Sequence, residues 1–115
     1  MKISQLPTLS APDKNTVVPA YSNNYDYGVP LGNIFKSLSD TYTTNTSGNA
    51  SVGLSADYVV VGAKRTDANG ICSPFYNNTT SEWNVHVTSA GANPSAVTSG
   101  SVTVTVYYML ASVFA

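Results

Sequence analysis

The 115-residue chain is long enough for one ordinary core and too short to divide comfortably into two independent domains. Five basic and six acidic residues leave a formal charge of −1, so the footprint that a phosphate backbone or an anionic membrane requires is missing, and neither nucleic acid nor a membrane is expected as a partner. Charged residues make up only 10% of the chain, and a surface that poor in charge points to coverage by other protein in use.

Cys72 is the single cysteine and His86 the single histidine, so neither an internal disulfide nor a zinc spacing is available, and no cofactor or metal is expected. The opening Met1-Lys2-Ile3-Ser4-Gln5-Leu6-Pro7 lacks the apolar run of a secretory leader, which leads us to expect a soluble protein made in the cytoplasm.

In chain order, residues 1–15 carry Pro7, Pro12 and Asp13 and read as an extended arm. Residues 16–21 are β-branched around Pro19, Ser22-Asn23-Asn24 supplies turn chemistry, and residues 25–29 resume with aromatics, a pattern that predicts a short edge-like hairpin. Pro30 then stands at a helix start. Leu31, Ile34, Phe35 and Leu38, at spacings of three and four, describe one apolar stripe over about two turns, closed by Ser37, Ser39 and Asp40. Residues 41–51 are polar and low in complexity, and the internal boundary is placed there.

Beyond it the period becomes two. Tyr58-Val59-Val60-Val61 before Gly62 predicts a buried strand; residues 66–70 form a turn; Ile71, Ser73 and Phe75 alternate, as a neighbour of the preceding strand in an antiparallel meander. Trp83, Val85 and Val87 share one strand face, with Trp83 as core anchor, while Glu82, Asn84, His86 and Thr88 share the other. Residues 101–110 sustain the longest alternation, with Val102, Val104, Val106, Tyr108 and Leu110 assigned to the core face.

No motif for chemistry stands out. His86 has no triad context, Cys72 reads as a small buried hydrophobe, and the carboxylates Asp13, Asp26, Asp40, Asp57, Asp67 and Glu82 are isolated in sequence, so catalytic residues are not assigned and an enzyme is not expected. The Asn-x-Ser/Thr sequences at Asn45, Asn49, Asn77 and Asn78 follow from an Asn/Thr-rich composition. Tyr107, Met109 and Phe114 are assigned to a subunit interface; in an alternative reading, a carbohydrate-binding or lectin-like adhesin, Tyr21, Tyr25 and Tyr27 contact a glycan on a host surface.

Ile3-Ser4-Gln5-Leu6-Pro7, Asp13, Val18-Pro19-Ala20-Tyr21 and Tyr27-Gly28-Val29-Pro30-Leu31-Gly32-Asn33-Ile34 together resemble the N-terminal module of tailed-bacteriophage fibre and head-decoration proteins. The resemblance spans residues 1–40 and implies a virion protein, with capsid or tail proteins as partners, an N-terminal segment that attaches to the particle, and a displayed β domain, favoured as a homotrimer. Attachment then falls to Ile3, Leu6 and Pro7, whose side chains fill pockets on a neighbour while their backbone pairs with an exposed edge. The expected fold is mainly β: an extended arm, short hairpin and short helix as an attachment module over residues 1–40, a polar linker or loop over 41–52, and an antiparallel β-sandwich or jelly-roll-like domain over 53–115.

Overall fold

The computed structural model describes residues 11–114, which form two units, one ending at Phe35 and the other beginning at Lys36. The protein is mainly β with antiparallel sheets, one short hairpin and one short helix.

In the N-terminal unit, β1 (Val17–Ser22) pairs with β2 (Tyr25–Pro30) from Val17↔Pro30 to Ser22↔Tyr25. Asn23 and Asn24 both sit at positive φ, 52° and 67°, the left-handed pair that a two-residue hairpin turn with the right twist requires, and asparagine tolerates that region better than most residues. Residues 13–16, expected to be extended, close into a turn in which Asp13 Oδ1 accepts from Asn15 N and Thr16 N donates to Asp13 O. Carbonyls of Lys14 and Thr16 then accept from Gly32 N and Leu31 N, satisfying orphan donors at the start of α1 (Leu31–Ile34).

The helix is one turn, not about two. Phe35 is already extended, and Leu38, expected on the helical stripe, lies in β3 (Lys36–Thr43). Residues 37–43 read Ser-x-Ser-x-Thr-x-Thr, a period-two pattern that β8 (Ser101–Leu110) pairs along its whole length, and eight ladder positions outweigh one more helical turn. In the polar stretch expected as a linker or loop over 41–52, residues 41–43 finish β3, a loop follows over 44–48 and then β4 (Asn49–Ser51), and the chain divides after Phe35 instead.

The C-terminal unit contains two three-stranded antiparallel sheets in a sandwich-like arrangement: β3–β8–β5 and β4–β7–β6, with β5 (Tyr58–Arg65), β6 (Gly70–Asn77), β7 (Glu82–Ser89) and β8 (Ser101–Leu110). Contrary to the meander expectation, β5 and β6 do not pair; the chain crosses between sheets at residues 66–69, and β6 pairs with β7. Gly70 is required at that crossing because a Cβ there would lie 2.5 Å from Thr88 O.

Val85 and Val87 of β7 and Val102, Val104 and Val106 of β8 are all 0% exposed, and Ala50, Val52, Leu54 and Val60 complete the core from both sheets. Each buried valine contributes about 1.5–3 kcal/mol relative to exposure. The alternation on β8 ends sooner than expected: Leu110 is exposed, and Tyr108 only half-buried. Val60 is buried and Val61, on the opposite face, is exposed, and β5 bulges between Val60 and Gly62.

Trp83 anchors the two sheets to each other. Its ring packs against the core, its Nε1–H donates to Tyr58 O across the sandwich at 2.8 Å, and Tyr76 meets it edge to face at 5.7 Å. Tyr58 and Tyr108 form a second perpendicular pair at 5.3 Å. At Thr44, buried at the end of β3, Oγ1 donates to Val97 O and accepts from Gly100 N, tying the β3–β4 turn to the segment that leads into β8.

Candidate functional site

Among the described residues no three His, Cys, Asp or Glu side chains converge in an arrangement that could hold a metal ion. His86 Nδ1 bonds Asn49 Oδ1 at 2.7 Å, an amide that neither titrates nor drives proton transfer. Glu82 Oε2 accepts from Ser51 Oγ at 2.6 Å, and Asp67 is engaged by Arg65 at 2.8 Å. That hydrogen bond holds the Asp67 carboxyl at about 2. Burial pushes the Cys72 thiol up to about 11, partly offset by the charge of Arg65, so the nucleophilic thiolate is scarce at neutral pH.

Three of the four side chains in the asparagine sequences, Asn45, Asn49 and Asn77, are spent on structure. Asn45 Oδ1 accepts from Ser47 N and Asn49 N, Asn77 Oδ1 accepts from Thr79 N and Thr80 N, and Asn49 holds His86. These local acceptors shape the turns, which is the physical reason for asparagine there.

Two surfaces have the character of interaction sites. The first is the hairpin. Tyr21 and Tyr25 are 69% and 67% exposed, and Tyr27, Val17 and Val18 are exposed as well. The ladder separates the three tyrosines: Tyr25 and Tyr27 share a face with Val18, Ala20 and Val29, whereas Tyr21 lies on the other face beside Asp26. Tyr21 Oη donates to Asn24 Oδ1 at 3.1 Å, so its ring is held along the turn. The three rings do not form one platform.

The second is the outward face of the β3–β8–β5 sheet. Ser37, Ser39 and Thr41 stand opposite Tyr107, Thr105 and Thr103, with Ser39 Oγ hydrogen-bonded to Thr105 Oγ1 and Thr41 Oγ1 3.0 Å from Thr103 Oγ1. In the sequence this hydroxyl ladder is masked because residues 37–40 also fit the end of a helical stripe; the alternation of Ser and Thr over residues 37–43 is the signal that identifies it.

Of the expected interface residues, Tyr107 continues this outer face opposite Ser37 and Gly62, and Met109 lies next on it opposite Val59. Phe114 is exposed at the end of the short 3-10 turn Ala111–Val113, outside that ladder. Ile3, Leu6 and Pro7 lie outside the described residues. Comparison of the chain with family models, curated proteins and solved structures finds no match.

Proposed function

We propose that this chain is a structural virion protein of a tailed bacteriophage, a head-fibre, decoration or tail-fibre subunit that docks through its N-terminal unit and displays its sandwich. It acts as a homo-oligomer together with capsid or tail proteins. The observation that carries this reading is the hairpin: valines and tyrosines on both faces of a two-stranded ribbon are exposed. An isolated two-stranded hairpin is marginal in water, so a unit built in this way belongs against another surface. The resemblance of residues 1–40 to attachment modules supplies the identity of that surface, and the hydroxyl ladder of Ser39, Thr105, Thr41 and Thr103, bonded within itself, suits a displayed sheet face.

The test is deletion of the whole N-terminal unit, residues 1–35, followed by measurement of incorporation into particles. Loss of incorporation, with the circular dichroism of the sandwich retained, is the expected result. Incorporation at the level of the full chain would overturn the docking role.

A further inference from the structure

The four margins of the two sheets differ in how they are closed. β4 is three residues long, β6 carries Pro74 in mid-strand, and β5 bulges at Val61; each of these discourages edge pairing. β3 is eight residues long, without proline or bulge, and keeps an unbroken register with β8 from Lys36↔Tyr108 to Thr43↔Ser101.

Its open side is identified by the ladder. Thr103 O accepts from Thr66 N, so the backbone groups of Thr103 point toward β5, and those of its partner Thr41 point away from β8. Thr41 N indeed donates to Asp40 Oδ1 and not to β8. By the alternation of an antiparallel ladder, Ser37 and Ser39 direct their N–H and C=O groups the same way. Both residues are exposed.

Lys36, Leu38, Asp40 and Tyr42 share the other face of β3, and among the described residues neither Lys36 nor Asp40 forms an ion pair within the chain. Outward-facing residues can meet only outward-facing residues, which leaves few registers for pairing β3 with a copy of itself. Centred on Asp40, two carboxylates oppose each other; centred on Ser39, Asp40 opposes Leu38. Centred on Leu38, Lys36 of each copy opposes Asp40 of the other, and Ser37 opposes Ser39.

We propose that β3 is a homotypic interface: it pairs antiparallel with β3 of a second copy about a twofold axis at Leu38, with Lys36–Asp40 ion pairs between copies. Each Ser37–Ser39 pair exchanges its N–H···O bonds, and the two β3–β8–β5 sheets join into one continuous sheet. The occupant is a second copy because both charges on this edge are then neutralised by the edge itself. This inference goes beyond the virion reading, and its twofold order differs from the threefold order that the resemblance implies.

Sedimentation velocity of the full chain over a range of concentrations tests it. The wild type gives a concentration-dependent dimer. Asp40→Lys and Lys36→Asp each place like charges at both crossings and raise the dissociation constant about tenfold or more, while the Lys36→Asp/Asp40→Lys double variant restores it. Ser39→Pro removes an outward donor that β8 does not use and abolishes the dimer with the circular dichroism unchanged, which keeps the test open if a charge variant fails to fold. A monomeric wild type, single variants that dimerise as the wild type does, or a double variant that is not rescued overturns the interface. A stable trimer overturns it too, while leaving the virion reading intact.

Discussion

The two units of this chain use the same strand chemistry to opposite ends. In the sandwich, alternation sends Val85, Val87, Val102, Val104 and Val106 into a core shared by two sheets, and the hydroxyls left outside bond one another. In the hairpin the same alternation leaves Tyr21, Tyr25 and Tyr27 exposed whichever face they occupy. A strand pattern therefore specifies a stable fold only when a second surface meets it, and the contrast separates a unit with a core of its own from one whose valines and tyrosines stay exposed.

The contrast breaks most severely at Val104. Val104→Asp places a carboxylate at a fully buried position with no partner, and we expect loss of the folded sandwich; native circular dichroism from the variant would contradict this. Next is Trp83→Ala, which removes the ring and its bond to Tyr58 O and should cost about 3–5 kcal/mol in denaturant unfolding, whereas Trp83→Phe should lose much less. Gly48→Ala, at φ +81° with a new Cβ 2.9 Å from Ala96 Cβ, should cost about 1–3 kcal/mol. By contrast, Tyr21→Ser, Tyr25→Ser and Tyr27→Ser together should leave the midpoint of sandwich unfolding where it is, because these rings contribute nothing to its core.

The smallest effect concerns acid. Arg65 depresses the Asp67 pKa to about 2, so the contribution of the pair is present above the ordinary carboxylate value of about 3.9 and is lost as pH falls through about 2. The pair is solvent-accessible and weak. Asp67→Asn should lower Tm slightly at neutral pH, and the difference should vanish near pH 2 in thermal scans at matched ionic strength.

What was legible in the sequence follows the same division. The β7 and β8 valines were readable because long, strict alternation has one burial solution, and Trp83 because a large ring among β-branched neighbours anchors a core. The hairpin turn was readable from Asn23-Asn24. Residues 31–43 are ambiguous in the sequence because Leu31, Ile34, Phe35 and Leu38 satisfy a helical spacing while Ser37 to Thr43 satisfy a strand period over overlapping positions, and only the partner strand β8 decides between them. The crossing between sheets after β5 was not legible either: a short turn between two strands looks alike whether they pair or part, and the outcome rests on the long-range pairing of β5 with β8.

Amide hydrogen exchange on the full chain, free and incorporated in particles, tests the central contrast most directly. The account predicts that β7 and β8 amides exchange only through global unfolding in both states, while β1–β2 amides exchange orders of magnitude faster in the free chain and become protected on incorporation. Hairpin amides as slow as those of β8 in the free chain would contradict it.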